Sequence, residues 1–216
     1  MKRAFIIASG ELPPPGLMLP LVKSADLVIC ADGGANHARA LGIEPDLIIG
    51  DFDSILPSTA EFFSKTIQIR QPDQGSTDLE KAVSYCIENS VDRADAAGTL
   101  EGRLDHTSGS LGCFKKFGRL IGLRMFDNFG VLTMIRGEVN LKMRPGEKLS
   151  LIPVDRCSGI FTENLRYGLH NGVLEPGVSE GISNEAVSGG VKIRVADGTL
   201  LLYRFYSPDS PPEAVE

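Results

Sequence analysis

Short apolar runs recur along the first part of the chain, at residues 4–8, 26–31, 46–50 and 66–70, each the length of one buried strand. Between and after them lie segments of helical periodicity, predicted over 36–42, 57–64, 76–89 and 105–117. The segment after Thr77 is the clearest. Thr77 and Glu80 have the spacing of a capping box, and Leu79, Ala82, Val83, Cys86 and Ile87 repeat at i, i+3, i+4, i+7 and i+8, giving one buried face. Asp105 and Ser108 are expected to open the next helix in the same way, with Leu111 and Phe114 facing inward. Strand–helix alternation of this kind implies a parallel sheet covered on both faces.

Beyond about residue 128 the pattern changes. Turn signals recur at short intervals, at Arg136-Gly137, Pro145-Gly146, Asn171-Gly172, Pro176-Gly177, Gly189-Gly190 and Asp197-Gly198. They separate β-rich runs such as Leu149–Val154, Val191–Val195 and Leu200–Phe205, the texture of a small all-β sandwich or barrel. The expected architecture is therefore α/β followed by β, with domains over 1–130 and 131–216 and a boundary near 126–137. The tail Ser207–Glu216, rich in Pro and Glu, is expected to fray.

Composition narrows the class. With 216 residues, 42% hydrophobic and 23% charged, the chain has the make-up of an ordinary soluble protein. A net charge of −6 argues against nucleic acid or an anionic membrane as partner. No run approaches the roughly 18 apolar residues of a membrane helix. Met1-Lys2-Arg3 before Ala4–Ala8 superficially resembles a signal peptide, but the apolar stretch is too short and is soon broken by Pro13-Pro14-Pro15. Four cysteines without a C-x-x-C pair fit neither a zinc site nor a disulfide framework, so reduced buried thiols and a cytoplasmic location are expected.

The chemistry lies in acidic motifs at the ends of apolar runs. Asp32-Gly33-Gly34-Ala35-Asn36 comes after the second run and Asp51-Phe52-Asp53-Ser54 after the third. Gln74-Gly75-Ser76-Thr77-Asp78-Leu79-Glu80-Lys81 and Gly102-Arg103-Leu104-Asp105-His106 come next. In an open parallel sheet such ends converge on one crevice, where ligands bind. Carboxylates gathered there need a cation to offset their repulsion, and hard oxygen ligands suit Mg²⁺ working with phosphates. If extended, Asp51 and Asp53 point to one side and can share an ion; the competing reading is a turn. Gly33 either lets backbone N–H groups approach a phosphate or forms a strand–helix junction capped by Asn36. Arg103 offers a fork for phosphate oxygens or a surface ion pair, and His106 packs or caps. Neither a P-loop nor a dinucleotide fingerprint is present, and no nucleophile elbow is found.

Taken together, A-D-G-G-A-N, I-I-G-D-F-D-S, T-D-L-E-K-A and G-R-L-D-H resemble the thiamine pyrophosphokinase family, and Ser150-Leu151-Ile152-Pro153 and Gly181-Ile182-Ser183-Asn184-Glu185 extend the resemblance over roughly residues 4–205. One departure is Glu101, where the family usually has a second glycine. The resemblance implies transfer of a pyrophosphoryl group from ATP to the hydroxyl of thiamine. It further implies Mg²⁺ on Asp51, Asp53 and Asp78, with Asp32 and Asp105 close by. Arg103 and Lys81 would offset phosphate charge, Gln74 would position the acceptor or the β-phosphate, and Gly33, Asn36 and Thr77 would contact the nucleotide. It also implies a homodimer in which Ser183 and Asn184 of one subunit hold the pyrimidine edge of thiamine over the other subunit's crevice. A diphosphokinase acting on a hydroxymethylpterin, a glycosyltransferase using D-x-D, and a non-catalytic thiamine or nucleotide sensor are the alternatives.

Overall fold

The computed structural model describes residues 1–100 and 102–206; the expectations for Glu101 and for the tail Ser207–Glu216 lie outside them. The chain forms two compact units, one over Met1–Asn128 and one beginning at Phe129. The class is α/β followed by β.

The first unit alternates β1 (Arg3–Ile7), α1 (Pro15–Ser24), β2 (Leu27–Ala31), α2 (Gly34–Leu41), β3 (Leu47–Gly50), α3 (Pro57–Phe62), β4 (Ile67–Arg70), α4 (Asp78–Glu88), β5 (Arg93–Ala97), α5 (Leu104–Phe117) and β6 (Gly122–Phe126). Its strands are parallel in the order β6-β5-β1-β2-β3-β4. The chain runs outward from β1 to β4 and then returns to the other side of β1, so the order reverses between β1 and β5. At such a reversal adjacent loops diverge and open a crevice. Four of the strands coincide with the apolar runs. β5 and β6 carry no such signal, and α1 lacks a helical one. β5 reads Arg-Ala-Asp-Ala-Ala, with little β propensity, and α1 carries Pro15 at its start and Pro20 inside it.

Packing follows the expected faces. α4 opens with the Thr77–Glu80 capping box, the Thr77 side chain accepting from Glu80 N at 3.2 Å, and buries Leu79, Ala82, Val83 and Cys86 against the central strands. α5 starts at Leu104, with Asp105 in its first turn and no side-chain cap; Ser108 is exposed. Its buried stripe is Ser110, Cys113, Phe114 and Phe117, while Leu111 is only half-buried. Inside the sheet, Asp95 and Arg124 sit opposite each other on β5 and β6 as a buried bidentate pair at 2.6 Å. All four cysteines are free and buried, and burial pushes the thiols of Cys30, Cys86 and Cys113 up to about 12.

The second unit contains β7 (Gly130–Met134), β8 (Glu138–Lys142), β9 (Lys148–Pro153), β10 (Cys157–Glu163), β11 (Gly172–Leu174), β12 (Gly181–Glu185), β13 (Gly190–Arg194) and β14 (Leu200–Phe205). They form two antiparallel layers, β12-β9-β14-β7 and β11-β10-β13-β8. β8 alternates strictly, with Val139 and Leu141 inward, and β13 matches it with Val191 and Ile193. These meet Leu149, Leu151, Leu200 and Leu202 of the other layer in one core. Of the expected turn glycines, Gly137, Gly146, Gly177 and Gly198 adopt positive φ.

α2 lies so close to β1 that a Cβ on Gly34 would stand 1.9 Å from the carbonyl oxygen of Ile7, whereas one on Gly16 in α1 would meet nothing within 4 Å. Gly34→Ala is therefore expected to destabilise the protein by about 2–3 kcal/mol, and Gly16→Ala to be neutral or stabilising by up to about 1 kcal/mol. Urea midpoints at unchanged m-value check both.

Candidate active site

The carboxyl ends of the first unit's strands frame a cavity of about 980 Å³. Its walls come from the loops after β1 and β5, the turn after β3, the segment Gln74–Lys81 and the start of α5. Asp51, Asp53, Gln74, Thr77, Asp78, Lys81, Arg103, Asp105 and His106 all line it.

Asp51 and Asp78 of this lining and the buried Asp32 form an acidic centre, each offering a carboxylate oxygen within 4.8 Å of the others. Local structure places each of them. Asp32 follows β2 at φ 43, its N–H donating to Ile49 O at 2.9 Å, and is only 1% exposed. Its Oδ2 accepts from Ser54 N at 3.1 Å, whereas Oδ1 is buried with no hydrogen-bond partner. Burial, and secondarily the nearby charge of Asp78, raise its pKa above the ordinary carboxylate value. Asp51 follows β3 and accepts from Gln74 Nε2 at 3.0 Å; that bond, with the N–H of Asp53, holds its pKa below the usual range. Asp78 sits at the first position of α4, where the helix dipole favours negative charge, and pairs with Lys81 Nζ at 2.9 Å.

Asp53 is not part of this group. The expectation that Asp51 and Asp53 lie on one side of an extended segment fails because Phe52 takes a φ of 70 and the segment turns. Asp53 N–H folds back onto Asp51 Oδ1 at 3.2 Å, and the Asp53 carboxylate accepts from Ser54 Oγ at 2.7 Å. Asp32 takes the place in the cluster that was expected for Asp53. An acceptor-only set with one buried, unpartnered oxygen fits a hard divalent cation.

Other expected contacts are engaged within the protein. Gly33 and Gly34 permit close approach to Ser9 and Ile7, and Asn36 bridges to Ser54 O and Leu56 N at 2.9 and 3.1 Å rather than capping α2. Lys81 is 5% exposed, with its ammonium on Asp78. Arg103 forms the surface ion pair, a two-point contact with Asp105, both side chains largely exposed.

In the second unit Asn184 is buried on β12. Its Oδ1 accepts from the N–H groups of Tyr167 and Glu185, at 3.0 and 2.9 Å, and its Nδ2 donates to Tyr167 O at 2.8 Å. Asn184 thus clamps Tyr167, a residue for which the sequence pattern carries no signal. Beside it, Ser183 adopts φ 58 at a register shift, exposed, with its N–H on Ser150 Oγ.

Comparison with known proteins places this arrangement. The family model for the thiamin pyrophosphokinase catalytic domain matches residues 18–120, and that for the thiamin pyrophosphokinase vitamin B1 binding domain matches 137–200. The chain belongs to the thiamin pyrophosphokinase family. Thiamine pyrophosphokinase from Bacillus subtilis is 28% identical over 214 residues, covering 94% of this chain and 99% of the relative. Thiamine pyrophosphokinase 1 from Oryza sativa subsp. japonica is 28% identical over 198 residues, covering 78% and 74%. The crystal structure of the Bacillus subtilis enzyme superposes with a TM-score of 0.81 at 25% identity, over 95% of this chain and all of that one. Thiamin pyrophosphokinase from Candida albicans shares the fold, with a TM-score of 0.83 at 17% identity over 95% of this chain and 89% of that one. Asp32, Asp51, Asp78 and the Arg103–Asp105 pair all fall within the segment matched by the catalytic model.

The cluster makes a prediction about stability. A carboxyl whose folded pKa is raised binds protons more tightly in the folded than in the unfolded state. Its contribution to stability therefore falls as pH climbs from the unfolded pKa through the folded one, and Asp32 opposes folding at neutral pH. Asn keeps an acceptor for Ser54 N–H and supplies a donor toward Asp78. Asp32→Asn is thus expected to stabilise the metal-free protein at pH 7 by about 1–3 kcal/mol, with the gain vanishing at low pH. Thermal unfolding measured across pH in a chelator checks both the sign and the window.

Proposed function

We propose that this protein transfers the pyrophosphoryl group of ATP to the hydroxyl of thiamine, with Mg²⁺ held by Asp32, Asp51 and Asp78. The observation that carries the reading is the three-carboxylate cluster in a large cavity of the segment matched by the catalytic family model. Transfer forms a bond from the thiamine oxygen to the β-phosphorus and breaks the bond from that phosphorus to the oxygen leaving with AMP. Bound Mg²⁺ would supply charge neutralisation on the phosphate oxygens. The protein's own residues provide position. Gln74 fixes the rotamer of Asp51, and Lys81 holds Asp78 from inside the helix. Arg103, exposed at the cavity mouth, can exchange Asp105 for a phosphate oxygen, because a two-point guanidinium contact serves either anion.

The second unit is the thiamine-binding part in this reading, supported by the vitamin B1 binding model over 137–200. With the Asn184 amide taken up by backbone, Ser183 is the residue of the expected pair left to face a ligand, and Asn184 sets the wall around it. We place the working unit as a homodimer with composite sites. Exposed apolar side chains around Ser183, namely Ile182, Val187 and the clamped Tyr167, support a covered surface there. No described helix is long and apolar enough to cross a membrane, and four buried free thiols support a reducing compartment such as the cytoplasm.

The decisive assay is AMP release from ATP, expected only when thiamine and Mg²⁺ are both present. Asp51→Asn is expected to lower kcat at least about 100-fold with Tm preserved, since the half-buried Asp51 carboxylate contributes little to packing. Full turnover in that variant, or AMP release without thiamine, rules the assignment out.

A mixing experiment tests the dimer. Asp51→Asn and a Ser183→Ala/Asn184→Ala variant, each inactive alone, are exchanged in equal amounts. Composite sites predict recovery of about a quarter of wild-type activity, because half of the dimers are mixed and each of these has one intact site. Demonstrated exchange with no recovery places each site within one chain.

A further inference from the structure

Thr99 stands at the reversal of strand order, in the loop after β5, and lines the cavity beside the loop after β1. Its backbone is fixed from two sides. Ser110 Oγ of α5 donates to the Thr99 carbonyl at 2.6 Å, and Gly10 N donates to the preceding carbonyl, that of Gly98, at 2.9 Å. Gly98 makes this possible at φ 74, where a Cβ would stand 2.5 Å from Ala8 O. The Thr99 side chain is carried on this rigid corner. The residue is only 5% exposed, yet its hydroxyl has no hydrogen-bond partner.

A buried hydroxyl without a partner calls for an explanation, and a cavity wall supplies one: the bond is made by what the cavity holds. The neighbouring cationic and amide donors are differently placed. Lys81 is on Asp78 and Gln74 on Asp51, both serving the acidic centre, and Arg103 is paired with Asp105 at the surface. Thr99 is on the far side of β1 from β2 and β3, whose ends carry Asp32 and Asp51. A nucleotide whose terminal phosphates meet the carboxylates extends its other end toward this crevice, where nucleotides bind open α/β sheets.

We infer that Thr99 is a further nucleotide-binding residue, its hydroxyl donating to an acceptor oxygen of the ribose or the α-phosphate of the adenine nucleotide. The inference rests on the pyrophosphoryl-transfer reading above. It predicts separate effects on stability and binding. Thr99→Val removes a hydroxyl that makes no bond to another protein group, so the apo Tm should be held or rise, by up to roughly 4 °C. The same change should weaken AMP, measured by calorimetry in chelator, by about tenfold, and raise the KM for ATP while leaving that for thiamine unchanged. Thr99→Ser, which keeps the hydroxyl, should bind AMP within about twofold of wild type.

The chemical source of the oxygen is settled by probes. A gap between wild type and Thr99→Val that disappears with 2′- or 3′-deoxy-AMP assigns the ribose; one that persists there and disappears with adenosine assigns the phosphate. A gap present with every probe places the contact outside the ribose hydroxyls and the phosphate and overturns the inference. So does an unchanged AMP affinity, or a fall in apo Tm together with unchanged KM values, which would make Thr99 a packing residue. Wild-type protein that binds neither AMP nor ATP overturns the transfer reading itself, whereas wild-type binding with an indifferent Thr99→Val overturns only the role of Thr99.

Discussion

Three carboxylates within 4.8 Å of one another repel, and the first unit is organised around holding them there. At an effective dielectric of about 20, two unit charges roughly 5 Å apart oppose each other by about 3 kcal/mol. The scaffold does not relieve this by letting the side chains swing apart. Asp32 is fixed through its backbone to β3 and through one oxygen to Ser54, and Gly50 leaves it room, since a Cβ there would meet the Asp32 Cβ at 2.7 Å. Partial offsets come from Gln74 on Asp51 and from Lys81 on Asp78, while the second oxygen of Asp32 has none. The residue left least compensated is the most buried one, which concentrates the site's demand for positive charge at a single point.

The constraint extends into the backbone. Asp32 and Phe52 both take positive φ, conformations that side-chain-bearing residues rarely adopt, and they bracket the two strand ends that supply the cluster. Strain of this kind persists where the surrounding structure over-determines it. Here the determinants are the β2–β3 pairing, the Asn36 bridge to Ser54 and Leu56, and the close seat of α2 on β1. Glycines and an asparagine in the Asp32–Asn36 motif are thus explained by approach distance and loop anchoring. They hold in place the loops that carry the acidic centre.

Local signals are legible in the sequence, and those that depend on a neighbour are not. The capping box of α4 and its buried face involve residues within one or two turns, so spacing alone reveals them. The alternating strands of the second unit and the glycines of its turns are readable for the same reason. Asp53 misleads because the extended reading of D-x-D assumes ordinary φ at the middle residue, and Phe52 departs from it. β5 escapes notice because it is an alanine-rich strand whose stability comes from pairing with β1 and β6 and from the Asp95–Arg124 bridge, contacts between residues far apart in the chain. Asn184 reads as a ligand-facing amide. Only the fold shows Tyr167 beside it, bonded to the amide oxygen and to one of its N–H groups.

β1 is the strand around which the parallel order reverses. What the fold asks of β1 is a buried apolar strand whose last carbonyl lies close to Gly34, with that of the following Ala8 close to Gly98, and Arg-Ala-Phe-Ile-Ile is one of many sequences able to meet that demand. The acidic motifs are constrained differently. A carboxylate aimed at a cation has few substitutes, because charge, length and acceptor geometry must all be right. The acidic centre is thus restricted in residue type, whereas β1 is restricted only in backbone position and apolar character, although the crevice depends on both.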